Sequence, residues 1–465
     1  MTHPTPPAGT DRPTRVRWKV MAFLCVLSFL TYYDRQCITR AADAIGTAFK
    51  LSKEDLGWAL GSFWLAYALF EIPGGWLCDR YGGRRALTRI VIAWSIFTAM
   101  TGMATGMWTL FLYRFLFGMG EAGAYPSMAR VQSTWLSPRA RARAGGLLWL
   151  TARWGAAFAP LIFGAILRFF DWGPIRSALA AIGMGDVAGW RLGFFVSGLF
   201  GVVWVVFFWR FFRDDPARHP KVNAAELTQI RTSQGQQTGA TQATAHHSGA
   251  ALLQIFKSPS LWAIAVLYLC ASFGFSFFMS WMPEYHKQVH GLAYSRSEWE
   301  SAMPLLFSGL ACLVGGIGSD ALVKRMASKR LARAIIPVCG YLTAAFCMVA
   351  IRWVETPAQA TALLCVTAFT FDLGQGANWA SIVDIGGRHA GMATGFINSI
   401  GNLSHFIQPR IGAWVFGTFG WGPLFLVYAA AFCGAALMWL FIDPTKRFYK
   451  DPEEVRGFEV LPPKA

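Results

Sequence analysis

Charge is what this sequence has least of. Asp, Glu, Lys and Arg together make up 14% of its 465 residues, against about 25% in soluble domains. Acids are the scarcer sign, 25 Asp and Glu against 42 Lys and Arg. So little charge excludes a soluble enzyme, and the abundance of apolar residues excludes a disordered chain. The nine cysteines all fall in apolar stretches and none forms a C-x-x-C pair. They therefore read as small packing residues, with no disulfide framework and no zinc site. No nucleotide-binding loop, metal cluster or nucleophile constellation appears, so neither an enzyme nor a cofactor is expected.

What is present is apolar. Hydrophobic residues make up 54% of the chain, with 38 Phe and 21 Trp. A membrane helix takes roughly 20 apolar positions, which leaves room for about twelve spans. The runs place them at 18–40, 57–78, 87–106, 108–131, 144–168, 190–212, 259–287, 298–320, 332–352, 357–380, 391–415 and 422–442. The polar stretch 213–256, containing SQGQQTGATQATAHHSG, divides them six and six and reads as a flexible linker, with His246 and His247 solvated. The organisation expected is an N-tail at 1–17, six-helix bundles at 18–212 and 257–443, and a C-tail at 444–465. The basic start followed by an apolar run is like a signal peptide. No small-residue cleavage site follows and the run continues into Tyr33, Asp34 and Arg35, so the first span is expected to be retained.

The net charge of +17 would suggest nucleic acid in a soluble protein. Its placement gives another meaning. Twenty-nine Lys and Arg lie in the tails, the linker and the loops on the same side, against nine on the other side. That asymmetry puts both termini in the cytoplasm of an inner-membrane protein, and makes anionic lipid the partner of the charge.

The halves echo each other. Gly75 and Asp79 follow span 2, and Gly316 and Asp320 follow span 8, at a shared offset of 241. Parallel six-helix repeats of this kind fit two halves that rock about a central site. Several charges lie inside spans, where they are expensive and usually face a watery cavity. Asp34 and Arg35 lie in span 1, Arg114 and Glu121 in span 4 two turns apart on one face. Two arginines balanced by two acids can hold a carboxylate once the acids are protonated. The alternative is two structural ion pairs that pin helices together, and the balance of charge favours the functional reading. Arg153 in span 5 admits two readings: a snorkelling cation, or a third contact suited to a diacid. Asn398, Asn402 and His405 share a face of span 11, fit either for hydroxyl groups or for helix–helix hydrogen bonds. Glu71, one turn after Tyr67, reads as part of a cytoplasmic gate network. Asp372 and Arg410 have no assigned role.

The loop G-x-x-x-D-R-x-G-x-R-R at 75–85 resembles the signature of the major facilitator superfamily. The segments YYDR at 32–35, EIPGGWLCDRYGGRR at 71–85 and RFLFGMGEAGAYPSMARVQSTW at 114–135 resemble its anion:cation symporter family, which includes sugar-acid symporters and vesicular glutamate transporters. Trp281-Met-Pro283-Glu-Tyr285 and Asn398-x-x-x-Asn402 with Pro409 and Gly412 resemble its spans 7 and 11. The resemblance implies an all-α membrane protein of twelve transmembrane helices in two six-helix pseudo-repeats, the major facilitator fold. It implies Asp34 and Glu121 as proton carriers. Arg35, Arg114, Tyr32 and Tyr67 become substrate contacts, joined by Arg153, Asn398 and Asn402. Asp79, Arg80, Arg84 and Asp320 form a gate. Thr31 stands where the family usually has Asn, and span 7 lacks an arginine, which speaks against glutamate and sugar phosphates. The function implied is proton-coupled import of an organic anion, a sugar acid such as an aldonate, uronate or aldarate, by a monomer. The alternative is an anion facilitator or exchanger without protons.

Overall fold

A computed structural model describes residues 12–137, 140–185, 187, 189–233, 248–291 and 294–449. Tail residues 1–11 and 450–465, and His246 and His247, lie outside them. Every regular element among the described residues is helical.

In the first half these are α1 (Val16–Phe49), α2 (Lys53–Tyr81), α3 (Gly83–Thr101), α4 (Met107–Glu121), α5 (Ala124–Trp135), α6 (Arg141–Asp171), the short α7 (Gly173–Ala181) and α8 (Gly189–Phe211). Between the halves lie α9 (Ala224–Ser233) and α10 (Ser248–Lys257). The second half has α11 (Pro259–Ser276), α12 (Met282–His290), α13 (Tyr294–Arg325), α14 (Lys329–Ala350), α15 (Pro357–Asp372), α16 (Gln375–Gly386), α17 (Ala390–Phe419) and α18 (Trp421–Met438). Three expected spans are interrupted rods: α4 with α5, α11 with α12, and α15 with α16. Counted as such, the described residues give twelve rods, six per half.

Local signals set the ends. Ser52 and Asp55 form a capping box that starts α2, and Thr356 and Gln359 form one before α15. Pro259 and Pro357 occupy first helical positions, where a missing N–H costs nothing. Among the described residues, seven helices are long and apolar enough to cross a membrane on length and composition alone. The outer face of α8 presents Leu199, Val203 and Phe207, an apolar exterior that suits lipid and not water.

The halves meet along two seams, α2 against α17 and α6 against α13. The echoed glycines lie in these seams. A Cβ on Gly75 would strike the Gly391 carbonyl oxygen, and one on Gly316 the Ala142 carbonyl oxygen. Only glycine lets each helix approach the start of the opposite half's helix so closely. The echoed acids act at the same places. Asp79 Oδ2 accepts the Met392 N–H at 3.0 Å, and Asp320 Oδ2 accepts the Arg143 N–H at 2.9 Å. Met392 and Arg143 lie in the first turns of α17 and α6, where backbone N–H groups lack intrahelical partners. Each carboxylate thus caps a helix of the other half, on the face that carries both ends of the described chain. Arg141 adds an ion pair to Asp384 across that face at 2.9 Å.

Two expectations are corrected. The gap expected between the spans ending at 78 and starting at 87 shrinks to Gly82, whose φ of 84° ends α2 and starts α3 directly. The stretch 213–256, expected as a flexible linker, is helical in part: it carries α9 and all but the last residue of α10, while 234–247 lie outside the described residues. Asn223 caps α9 by accepting the Glu226 N–H at 3.0 Å. The buried Glu226 carboxylate in turn accepts from Thr14 Oγ1 at 2.6 Å and from the Val16 and Arg17 N–H groups at 2.9 and 3.1 Å. That satisfies the start of α1, which carries no acid of its own in its first turn.

Candidate functional site

Between the halves lies a small cavity of about 50 Å³. Two guanidiniums face it, Arg35 from α1 and Arg153 from α6. Tyr32, Tyr67, Tyr125 and Tyr268 supply aromatic walls with polar tips, and Gln375, Asn398, Asn402 and His405 supply hydrogen-bonding groups.

Each cation is held by a carboxylate and by rings. Arg35 Nε donates to Glu121 Oε1 at 2.7 Å, with Nη2 at 2.7 Å from the same oxygen. Its guanidinium carbon lies 4.8 Å from the centre of the Tyr32 ring and 4.4 Å from that of Tyr67. Arg153 grips Asp372 with both prongs of its fork, Nε to Oδ2 at 2.7 Å and Nη2 to Oδ1 at 3.1 Å. Ser308 also donates to Asp372, and Phe275 lies 3.7 Å from the guanidinium carbon. All four charged side chains are buried. The first pair stays within one half. The second joins α6 of one half to the last residue of α15 in the other.

The remaining expected residues fall elsewhere. Arg114 does not line the cavity. It is buried between the rings of Phe63 and Phe117, 5.1 and 4.8 Å from their centres. Asp34 is 2% exposed, and its Oδ1 has no hydrogen-bond partner among the described residues. Asn398 and Asn402 reach the cavity, yet their amides are engaged: each donates to one oxygen of Glu71 at 3.0 Å. His405 Nδ1 lies 2.6 Å from Ser276 Oγ, and its ring lies 4.4 Å from that of Trp64. Of the expected gate, Asp79 and Asp320 cross between halves as described. Arg80 is exposed over Trp76, and Arg84 lies 4.1 Å over Trp209 with its N–H on Asp214. Both arginines stay within their own half.

Asp372 had no assigned role in the sequence, and Glu71 was read as a gate residue. A signal for Asp372 existed. Glu121-Ala-Gly123 and Asp372-Leu-Gly374 each close a rod's first segment before a two-residue interruption, at equivalent places in the two halves. Both acids end a helix beside the cavity, and each binds a cavity arginine.

A family model described as Major Facilitator Superfamily matches residues 24–409. A probable sulfoacetate transporter of Cupriavidus necator is 27% identical over 431 residues, covering 92% of this chain and 94% of the relative. A probable galactarate/D-glucarate transporter of Bacillus subtilis is 27% identical over 470 residues, covering 98% of each. Among solved structures, the proton:xylose symporter XylE bound to 6-bromo-6-deoxy-D-glucose superposes with a TM-score of 0.71 at 17% identity. That match covers 96% of this chain and 99% of the other.

Proposed function

Because the chain belongs to the major facilitator superfamily, whose members are multi-pass membrane transporters and not enzymes, we propose that it carries a small organic dianion together with protons. The substrate class is an aldarate-like sugar diacid or a short sulfocarboxylate. The observation that carries this reading is the pair of guanidiniums, Arg35 and Arg153, facing one cavity. Two forks in one chamber match two anionic groups on one molecule better than one. Sulfoacetate, galactarate and D-glucarate, the substrates in the names of the relatives, share that feature. The tyrosines and the amides of Asn398, Asn402 and Gln375 suit the hydroxyl groups of a sugar acid.

Protons enter because both forks are already occupied. A substrate carboxylate binds Arg35 only if Glu121 gives way, and it binds Arg153 only if Asp372 does. A carboxylate displaced in a buried site is costly as an anion and tolerable as an acid. Proton uptake on Glu121, and on Asp34 behind it, therefore favours anion binding, and anion binding favours proton uptake. Release of both protons on the other side lets Glu121 reclaim Arg35 and expels the anion. Lys and Arg asymmetry puts the face carrying Asp79 and Asp320 in the cytoplasm, and an inward proton gradient would then drive import.

The test begins with thermal shifts of the purified protein against aldonates, uronates, aldarates, sulfoacetate and neutral hexoses. Aldarates or sulfoacetate are expected to stabilise it most, and a preference for hexoses overturns the substrate class. Uptake into proteoliposomes follows, with and without an imposed pH gradient. Accumulation only with the gradient is expected. Equal uptake in both leaves a proton-independent facilitator.

A further inference from the structure

Glu71 sits midway along α2, fully buried, and makes no ion pair among the described residues. Its two oxygens accept from Asn398 Nδ2 and Asn402 Nδ2 of α17, each at 3.0 Å. Asn402 donates its second N–H to the Asn398 carbonyl at 2.9 Å. The clasp therefore consumes donors that line the cavity, and it joins the two halves at mid-seam. Two residues on, Pro73 removes a backbone hydrogen bond from α2, leaving the helix least constrained there.

The groups around Glu71 do not supply a counter-ion. Tyr67 lies one turn before it on α2. From α1 come Tyr32 and Arg35, from α4 and α5 Glu121 and Tyr125, from α17 His405 and from α11 Tyr268. The nearest cation, Arg35, is committed to Glu121. On the far wall Arg153 is committed to Asp372. Around the cavity, three buried guanidiniums (Arg35, Arg114 and Arg153) stand against four buried carboxyls (Asp34, Glu71, Glu121 and Asp372). Arg35 and Arg153 are paired with Glu121 and Asp372, whereas Asp34 and Glu71 make no ion pair among the described residues, and Glu71 is the one of these two whose oxygens are both held by neutral donors of the other half.

We propose that Glu71 takes up one proton of its own when the dianion binds, and that this proton frees one of the two amides, Asn398 or Asn402, for the substrate. This deepens the reading of the chain as a proton-driven dianion carrier and rests on it. An ionised carboxylate offers acceptor oxygens to both amides. Once an O–H bond forms, one oxygen becomes a donor and no longer matches the N–H facing it. The released N–H turns to a substrate hydroxyl or carboxylate, and the α2–α17 clasp loosens as the halves must separate. The proton comes from the side on which substrate enters. It leaves on the other side when the substrate leaves, restoring the carboxylate.

The experiment counts protons. Galactarate and sulfoacetate are titrated into purified protein in buffers of different ionisation enthalpy, and their Kd is followed against pH. Each proton taken up makes Kd vary tenfold per pH unit. Glu71→Gln is expected to take up one proton fewer per anion than the wild type, flattening that dependence by a factor of ten per pH unit. Gln opposes an NH2 to two N–H donors, so Glu71→Met, of matching length and without polar groups, is the second variant, with the same expectation. A folded variant of either kind that keeps the wild-type count overturns the proposal, as does a wild type that takes up no proton. The parent reading fails separately. If wild-type uptake ignores the pH gradient while Glu71→Gln still binds one proton fewer, coupling falls and the Glu71 site stands.

Discussion

Arg153 and Asp372 form a two-pronged ion pair that crosses from α6 of one half to the end of α15 in the other. Both are buried, and Arg153 faces the cavity. On the proposed function, the bond that ties the halves together is also one that an arriving anion would compete for. A substrate that takes Arg153 from Asp372 weakens the closed arrangement by the same act that binds it. Such a differential interaction is what a ligand-driven conformational change requires.

The pair's energetics can be separated from its function. Removing one partner of a buried ion pair leaves an uncompensated charge and costs about 3–5 kcal/mol, whereas replacing both with apolar groups is often neutral. Asp372→Ala is expected to lower the unfolding temperature more than the double variant Arg153→Met, Asp372→Leu. The double variant should fold and lose its response to aldarates. Equal destabilisation of single and double variants would mean that the pair is not coupled in the folded protein.

The two remaining arginines are ranked by the cavity wall. Arg35 lines it and Arg114 does not. Arg35→Lys keeps the charge but loses the fork and the stacking on Tyr32 and Tyr67. Charge-assisted hydrogen bonds are worth about 1.5–3 kcal/mol, or roughly tenfold to 150-fold in Kd. Aldarate affinity, read by titration calorimetry, is expected to fall by that range in Arg35→Lys and by less in Arg114→Lys. The reverse order would place the anion beside Arg114.

Much of this was open to reading in the sequence, and the exceptions share a cause. Apolar runs marked the twelve rods, and the 241-residue echo marked both helix-capping acids, because these features are local or repeated. Tyr32, Arg35 and Tyr67 were legible through short segments. Arg153 and Asp372 lie 219 residues apart, and no local pattern reveals which faces of α6 and α15 turn toward each other. Arg114 illustrates the converse. Its spacing from Glu121 puts both on one helix side, yet one turn decides whether a side chain meets the cavity or the rings of Phe63 and Phe117. The Glu226 cap on α1 was hidden by the polar composition around it, although Asn223-Ala-Ala-Glu226 carries a helix-start signal.

The helix-capping acids predict a shift in conformation. Asp79→Asn weakens a charge-assisted bond to the Met392 N–H, and Asp320→Asn weakens that to Arg143. Each loses part of about 1.5–3 kcal/mol, favouring separation of the halves on that face. Cys312 is buried about two turns deeper in the α6–α13 seam, its backbone against Gly146 of α6 and its thiol near Asp372. Its labelling by maleimide is expected to quicken by roughly tenfold or more in either variant. Unchanged labelling in both would mean that these acids do not hold the face closed.

The final prediction concerns Glu121, whose carboxylate holds Arg35 in the absence of substrate. Glu121→Gln fixes the neutral state. Its amide oxygen still accepts one hydrogen bond from Arg35, but without charge the grip is weaker and a substrate carboxylate displaces it more easily. Anion binding should therefore survive. Exchange of internal for external anion should survive as well, since the loaded carrier need not gain or lose a proton to cross in either direction. Net accumulation should fail, because the variant has no proton to release at this site and a pH gradient can no longer bias its direction. Counterflow and gradient-driven uptake, measured on the same proteoliposomes, separate these outcomes. Wild-type accumulation by Glu121→Gln under a gradient would remove Glu121 from the proton path. Loss of counterflow together with accumulation would make it a structural partner of Arg35 instead.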